Sequence, residues 1–386
     1  MTARDARRDE RLGAFIEETP AVQGIVFVQL ALFLLTERAK LGESRWAAYI
    51  RALPTRFSTP LHWSGDELLT LRGSSVCFEL VSLYKRVCQY YCLLYHKFLD
   101  EKDALLAAPW FTFARWLWAS SVVWTRQNRV PVGKNDTLTE CLIPVWDMCN
   151  HEHGHVSTFM AKDAKRCECQ AMRKFAKGEQ FTIFYGPRPN AQLLLYSGFV
   201  YDKNEHDAVA VHFELTPAHE NYAAKKAVLD ATGAGVKPNE NFALRAATIE
   251  PRLLAFLRVL TLSADELSSP PRPLTSLAAV SSTITLRNES MALALFEQSV
   301  RELLAMFPAV ANGDAARATA AAAATGNAEL GRRFVAAEKA ILNATLAQVL
   351  ALQKAVKQKL KKKQQQQRKK QRDGDGGAAA PSAAEK

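Results

Sequence analysis

The chain has 386 residues, enough for two domains that each bury a core of their own. A hydrophobic content of 48% and an aromatic content of 9% exclude a fibrous or wholly disordered protein. The net charge of +11 suggests nucleic-acid binding, but residues 354–386 hold 11 Lys and Arg against 3 Asp and Glu. The rest of the chain is nearly balanced. We therefore expect a solvated basic tail and no specific nucleic-acid partner.

The cysteines and apolar runs indicate a reduced protein without a membrane segment. The seven cysteines are odd in number and are not spaced as in a zinc ribbon. Residues 1–11 are charged and lack the apolar core of a signal peptide. The longest apolar run, residues 25–35, is too short to span a bilayer. We expect a protein of the cytoplasm, or of the nucleus, with no membrane partner.

The N-terminal third is predicted to be helical. We expect residues 1–20, which are few and polar, to be disordered or atypical. Residues 22–40 predict a long apolar helix, and residues 62–130 predict further helices. Four tryptophans recur there at near-helical spacing, which favours core packing over an aromatic cage: Trp110, Trp116, Trp118 and Trp124.

The pattern then changes to strands and back to helices. Residues 140–187 are short apolar runs separated by polar turns, and the alternation over 206–215 predicts one more strand. Between them, residues 190–200 predict a helix. Residues 216–353 predict an all-helical domain. The Lys/Gln-rich residues 354–386 predict a disordered tail.

Two segments carry polar groups at predicted strand ends. Residues 142–151 read Leu-Ile-Pro-Val-Trp-Asp-Met-Cys-Asn-His, and residues 178–186 read Gly-Glu-Gln-Phe-Thr-Ile-Phe-Tyr-Gly. Strand interiors seldom carry such groups, whereas at a strand end they are held rigidly and can bind a ligand. The pattern predicts one site that contains Asn150, His151 and Tyr185.

These residues resemble the SET-domain protein methyltransferases that have a substrate-binding domain of the Rubisco methyltransferase type. The resemblance covers residues 20–350. It implies an α+β fold, in which an N-terminally incomplete SET β-core with a helical insert over 21–215 precedes an all-α substrate-binding domain over 216–353. It also implies S-adenosylmethionine as cofactor and a protein substrate. We expect a monomer.

The resemblance also assigns roles to residues. The Asn150-His151 pair would bind the amino-acid part and the adenine of the cofactor, and Tyr185 would line the methyl-transfer channel. The implied cofactor-binding set is Arg126, Asp147, Met148, Cys149, Asn150, His151, Ser197, Gly198 and Phe199. The implied catalytic residues are Tyr185, Asn128 and Trp146, and the implied substrate-binding residues are Ile143 and Arg188.

Within this family, these sequence segments are most similar to those of the actin-histidine N-methyltransferases. The shared phrases are Thr-Arg-Gln-Asn at 125–128, Trp-Asp-Met-Cys-Asn-His at 146–151, Arg-Cys-Glu-Cys at 166–169 and Ser-Gly-Phe at 197–199. Lysine-directed members usually carry an aromatic residue at the position of Asn128. The resemblance therefore implies methylation of a histidine in actin, with a protein lysine as the alternative acceptor.

The chemistry of these residue types agrees with a histidine acceptor. An imidazole, with a pKa of about 6.5, is mostly neutral at neutral pH, whereas a lysine, with a pKa of about 10.4, must first lose a proton. A histidine pocket therefore has to select a tautomer. The Asn128 amide can do so by bonding one ring nitrogen. Trp146 can then shape a flat slot, and Tyr185 can fix the orientation of the reacting groups.

Plainer interpretations compete with these roles. Taken alone, Asn128 could cap a turn, Trp146 could belong to the core, and Arg188 could be an exposed turn residue. Cys167 and Cys169 would share a face of a strand, but no second ligand pair follows them at metal-binding spacing.

The alternating histidines 151, 153 and 155 suggest a metal site. The resemblance assigns His151 to the cofactor, and we expect the other two histidines to lie in a solvated turn. We therefore expect no metal.

The start of the chain departs from the family pattern. SET folds begin with strands whose Gly-rich loop cradles part of the cofactor, and residues 1–20 show no such pattern. We therefore expect this chain by itself to bind S-adenosylmethionine weakly or not at all. A non-catalytic binding protein that retains the helical domain is a further alternative.

Overall fold

The computed structural model describes residues 1–99, 110–132, 137–160, 166–233, 236–308 and 326–375. They divide into two compact units. The first comprises Met1–Asp207 with Ala311–Val335, and the second comprises Ala208–Val310 with Ala336–Lys386. The fold is of the α+β kind, since helices alternate with small sheets in the described part of the chain.

Helices make up most of the described structure. Their bounds are α1 Ala3–Arg8, α2 Glu10–Glu18, α3 Pro20–Gln23, α4 Val26–Ala39, α5 Ala47–Ala52, α6 Gly65–Leu69, α7 Val76–Leu99, α8 Phe113–Arg126, α9 Asn190–Ser197, α10 Tyr222–Ala231, α11 Pro251–Leu260, α12 Ala264–Ser268, α13 Leu277–Ser281, α14 Leu286–Ala305 and α15 Gly326–Asp375.

The strands form pairs. Their bounds are β1 Asn128–Val132, β2 Thr137–Cys141, β3 Asn150–His151, β4 Thr158–Met160, β5 Cys167–Cys169, β6 Thr182–Ile183, β7 Val209–Glu214 and β8 Asn239–Leu244. Three pairs are antiparallel: β1 with β2, β4 with β5, and β7 with β8. Strand β3 pairs in parallel with β6, so Asn150 faces Thr182 and His151 faces Ile183. This parallel pair sets the two polar motifs side by side.

The core of the first unit surrounds α4, which is buried along most of its length. Helix α8 packs against it and buries Trp116 and Trp118. Trp124 is partly buried against the same core, and Trp110 lies under the guanidinium of Arg115, which is 4.2 Å from the ring centre. The interpretation of the tryptophans as core residues is confirmed for Trp116 and Trp118.

The expectation of a disordered N-terminus is wrong. Residues 3–18 form α1 and α2. The side chain of Thr2 accepts a hydrogen bond from the backbone of Asp5, whose carboxylate accepts from the Thr2 backbone. Such a capping box stabilises a helix start. The amino group of Met1 donates to the carbonyl of Leu142 at 3.0 Å, which joins this segment to the end of β2.

The second unit is not all-helical, which corrects the prediction for residues 216–353. Strand β8 lies within that range and pairs with β7 along six residues. Phe213 of β7 and Phe242 of β8 both pack against Phe256 of α11. The β7–β8 pair thus packs against α11.

The basic tail is also more ordered than predicted. Helix α15 runs to Asp375, so residues 354–375 are helical. Lys, Arg and Gln favour helices even without burial, which explains the continuation. Residues 376–386 lie outside the described part of the chain.

By length and composition alone, α15 could cross a membrane, although 28% of its most apolar window is buried within the protein. Core helices pass the same test. Glu338 is buried on this helix, and Gln348 donates to the carbonyl of Ala246. These are features of a helix packed against protein. The absence of a membrane segment stays a prediction.

Candidate functional site

A buried carboxylate anchors the site. Asp147 lies in the short 3-10 turn Trp146–Met148 and is almost fully buried. The hydroxyl of Tyr49, from α5, donates to Asp147 Oδ2 at 2.5 Å, and Arg126 Nη1 lies 3.6 Å from Oδ1. Burial raises the pKa of Asp147 above its ordinary value, and the Tyr49 and Arg126 contacts act in the opposite direction. The same Arg126 atom donates to the carbonyl of Asp147 at 2.5 Å.

The turn that holds Asp147 begins at a strained residue. Val145 adopts φ +70° with ψ −51°, a sparsely populated backbone conformation that costs about 1–3 kcal/mol. Its side chain is 81% exposed, so no burial of Val145 offsets this cost. Val145 directly precedes the turn that places Asp147 against Arg126 at the end of α8. Backbone strain of this kind is concentrated at functional sites.

His151 and Tyr185 are joined across the β3–β6 pair. The backbone N–H of Tyr185 donates to His151 Nδ1 at 3.2 Å, and the Tyr185 hydroxyl donates to the carbonyl of Cys149 at 2.7 Å. With Nδ1 accepting, the imidazole carries its proton on Nε2. Burial lowers the pKa of His151 and raises that of Tyr185. Both side chains are therefore neutral at neutral pH.

Aromatic rings surround His151. The centres of Phe184, Tyr185, Phe199 and Tyr201 lie 5.0–5.8 Å from the imidazole centre. Phe199 is placed by Gly198, which ends α9 with φ +77°. A Cβ at Gly198 would lie 3.0 Å from the backbone of residues 58 and 59, so only glycine fits without a shift.

A cavity of about 60 Å³ lies beside these groups. It is lined by Thr125, Arg126, Gln127, Asn128, Trp146, Asp147, Cys149, Ile183, Phe184, Tyr185 and Arg188. Asn128 Nδ2 donates to the carbonyl of Arg126 at 3.0 Å, and Trp146 Nε1 donates to Thr158 Oγ1 at 3.0 Å. These bonds fix the orientation of both side chains at the cavity wall.

The structure brings most of the predicted site residues together. Seven of them line the cavity: Arg126, Asn128, Trp146, Asp147, Cys149, Tyr185 and Arg188. Met148 contributes its sulfur, which lies 3.4 Å from Arg126 Nη1. His151 and Phe199 lie directly behind Tyr185.

Besides Met148, His151 and Phe199, four predicted residues are not among those that line this cavity. Ile143 acts through its carbonyl, which accepts the backbone N–H of Asp147 at 3.0 Å. Asn150 is exposed at the start of β3, and Ser197 is the last residue of α9. Gly198 serves as the turn that places Phe199.

The sequence reading missed several lining residues. Thr125 and Gln127 belong to the Thr-Arg-Gln-Asn segment at 125–128, and Ile183 and Phe184 directly precede Tyr185. Because these four residues adjoin predicted site residues, their positions in the sequence could have identified them as part of the site. Tyr49 is different, because it reaches Asp147 from 98 positions away and its surrounding sequence has no motif.

Comparisons with known proteins show what this chain resembles. The family model described as Rubisco LSMT substrate-binding matches residues 216–342. The actin-histidine N-methyltransferase of Gallus gallus is 37% identical over 273 residues, and that of Homo sapiens is 36% identical over 271. Each match covers 69% of this chain and 45% of the relative, so the chain spans about half the length of these relatives.

Solved structures show the same fold. The structure of Rubisco LSMT bound to AdoMet has a TM-score of 0.73 at 20% identity, covering 92% of this chain and 81% of that one. The SET domain of LSMT bound to lysine and AdoHcy has a TM-score of 0.74 with the same coverage. The predicted resemblance is thereby confirmed, both in fold and in the relatives it named.

Proposed function

We propose that this chain is a protein-histidine N-methyltransferase acting on actin. It has the SET-domain methyltransferase fold and carries a Rubisco LSMT substrate-binding domain. The observation that carries the proposal is the placement of Asn128, Trp146 and Tyr185 around one cavity. The curated relatives named for actin-histidine methylation support the same substrate.

The residues present fit S-adenosylmethionine as the cofactor. Arg126 Nε and Asp147 Oδ1 are buried and have no hydrogen-bond partner among the described residues, and both residues line the cavity. Buried polar atoms without a partner suit a ligand that carries charged groups. The ring cluster around His151 offers flat apolar faces for an adenine. When bound, the cofactor supplies an electrophilic methyl group.

We propose that Asn128 holds the acceptor imidazole. Its Nδ2 is committed to the carbonyl of Arg126, which leaves Oδ1 to accept a ring N–H of the substrate. The other ring nitrogen then keeps its lone pair for the methyl group. Trp146, held by Thr158, limits the rotation of a flat ring, and Tyr185 fixes the opposite wall. These three residues would increase the rate of methyl transfer mainly by orienting the acceptor imidazole.

Lysine methylation is the second candidate, because a structure of the same fold is described as bound to lysine. The two functions differ at the wall residue Asn128. An aromatic ring there would offer an apolar surface and no tautomer selection. The presence of an amide at this position favours histidine.

The test uses unmethylated recombinant actin and S-adenosylmethionine with a labelled methyl group. After incubation with the purified chain, acid hydrolysis and chromatography separate methylhistidine from methyllysine. We expect label only in methylhistidine. Label in methyllysine supports the second candidate. If a longer curated relative labels actin in parallel and this chain does not, the proposal for this chain is overturned.

The variant Asn128→Phe tests the pocket. We expect it to lower histidine methylation by at least tenfold, which corresponds to the loss of about one hydrogen bond of 1.4 kcal/mol. We also expect a gain of activity toward a peptide in which lysine replaces the acceptor histidine. Asn128→Gln, which retains the amide, is the matched control and should lose less. An unchanged histidine preference in Asn128→Phe would contradict the role given to Asn128.

We further propose a cytoplasmic or nuclear location and a monomeric state. The seven cysteines are free, which suits a reducing compartment.

A further inference from the structure

Two histidines and one glutamate converge behind the wall of the cavity. His153 follows β3, and Glu205 and His206 lie in the turn that precedes β7. His153 Nε2 lies 3.0 Å and His206 Nε2 lies 3.4 Å from Glu205 Oε1. One ligand atom from each of the three residues lies within 4.8 Å of the other two. The sequence led us to expect His153 in a solvated turn and no metal, and it gave no reason to group His153 with Glu205 and His206.

The spacing of these atoms suits a tetrahedral cation. Zinc bonds to nitrogen and oxygen are about 2.0–2.2 Å long, which places neighbouring ligand atoms about 3.3–3.5 Å apart. The two distances to Glu205 already lie near that value. The remaining separation, between the two imidazoles, has to shorten by at most about 1.5 Å, which a small ring rotation achieves.

The backbones that carry the ligands are held in place. The N–H of His153 donates to the Tyr201 hydroxyl at 3.2 Å, and the N–H of His206 donates to Asn204 Oδ1 at 3.0 Å. The side chains remain reachable, since their exposed fractions are 36% for His153, 63% for Glu205 and 28% for His206. An entering ion would therefore keep water as its fourth ligand.

We propose that His153, Glu205 and His206 form a binding site for a divalent transition metal of the zinc class. Two imidazoles and one carboxylate are a common ligand set for such ions. The site would tie two turns together that are 52 positions apart. Phe184 packs beside both histidines, with its ring centre 6.0 Å from His153 and 5.7 Å from His206. Because Phe184 lines the cavity, the metal would brace that wall. The proposal does not depend on the methyltransferase function.

The test is a calorimetric titration of Zn²⁺ into the whole chain after treatment with a chelator. We expect one strong equivalent in the wild-type chain. The variants His153→Ala, Glu205→Gln and His206→Ala should each bind at least tenfold more weakly. His212→Ala is the matched control, because His212 forms an exposed pair with Glu214 at 4.0 Å in the second unit and should bind as wild type does.

Two further readouts separate the proposal from its alternatives. Circular dichroism of the metal-free variants should match the wild-type chain, which excludes loss of fold as the cause. Co²⁺ should give the visible absorption of a tetrahedral site without the near-ultraviolet band of a thiolate ligand. Three outcomes would each overturn the site: a thiolate band, binding of Zn²⁺ by the three variants as tight as by the wild-type chain, or no strong equivalent in the wild-type chain.

Discussion

The buried carboxyl group of Asp147 makes stability depend on pH in an unusual direction. Burial raises its pKa above the ordinary value of 3.8. The folded state therefore retains this proton to a higher pH than the unfolded state does. Between the two pKa values the folded state binds more protons, so this group's contribution to the free energy of unfolding falls as pH rises.

Urea unfolding monitored by tryptophan fluorescence can measure this, because all seven tryptophans belong to the first unit. We expect the stability of the wild-type chain relative to Asp147→Asn to be greatest below the ordinary pKa and to decline toward neutral pH. Tyr49→Phe removes the donor to Oδ2 and should extend the decline to higher pH. A relative stability that increases with pH would contradict this account.

At the residue scale, the sequence predicted those site residues that lie within a short motif. Trp146, Asp147 and Cys149 lie within one motif, and Tyr185 ends another, so their grouping followed from strand ends. Two kinds of contact left no such trace. Tyr49 meets Asp147 only through the packing of α5, and Glu205 meets His153 only because two distant turns adjoin. Contacts of this range depend on tertiary structure.

At the scale of elements, a buried ion pair joins two helices of the second unit. Arg258 of α11 meets Glu289 of α14 in a two-pronged pair, at 2.6 Å and 2.8 Å. Their side chains are only 5% and 8% exposed. The Arg258 guanidinium also donates to the carbonyl of Ser281 at 2.6 Å, so the end of α13 is held as well. Removal of one partner leaves an unpaired buried charge.

We expect Glu289→Ala to destabilise the second unit by about 3–5 kcal/mol. The double variant Arg258→Met/Glu289→Leu should recover most of the loss, because apolar groups need no partner. Arg301→Ala is the control on the same helix. It breaks an exposed pair with Glu297 and should cost less than about 0.5 kcal/mol. Hydrogen exchange of the α11 and α14 amides is the measurement. Equal losses in Glu289→Ala and Arg301→Ala would disprove the argument.

Gly198 shows how the end of α9 determines the site. Its φ of +77° and the nearby backbone at 3.0 Å both oppose a side chain, whereas Gly178 has φ +86° and open space around it. We expect Gly178→Ala to cost about 1–2 kcal/mol from the backbone alone. Gly198→Ala should cost about 1–3 kcal/mol more, from the steric contact. Tryptophan fluorescence during urea unfolding measures both, and equal costs would exclude the steric contribution.

The sequence predicted helices and short strands better than it predicted their limits. The alternation in β7 was evident, but its partner β8 reads Asn-Glu-Asn-Phe-Ala-Leu and begins with three polar residues. Only the pairing with β7 makes it a strand. The helices at the N-terminus were obscured in a different way. Their polarity suggested disorder, although the capping box at Thr2 was a local signal for a helix start.

At the scale of the whole molecule, the buried part of α15 and its basic part are different segments of the helix. Among the helix residues up to Arg368, Val356 is the last buried one, and residues 361–368 are all exposed. Residues 361–386 hold eight Lys and Arg against three Asp and Glu. Residues 361–386 therefore carry much of the net charge of +11, and the side chains of 361–368 add little burial.

Deletion of residues 361–386 should therefore leave folding intact and weaken non-specific binding to polyanions. We expect the free energy of unfolding to change by less than about 0.5 kcal/mol, as is usual for exposed positions away from special features. The full chain should bind single-stranded DNA with an affinity that falls steeply with salt, because bound cations are released from the phosphates. The shortened chain should show weaker binding and a smaller salt dependence in a fluorescence anisotropy titration.

The triple variant Lys361→Gln/Lys362→Gln/Lys363→Gln separates charge from length. It retains the whole helix and removes three positive charges, so its DNA affinity should lie between those of the full and shortened chains. Methyl transfer to actin, measured in the same preparations, should be equal in all three, since these lysines lie outside the lining of the candidate cavity. If the shortened chain binds DNA as tightly as the full chain, the polyanion contact belongs to the folded units, and the assignment of the basic charge to a solvated extension fails.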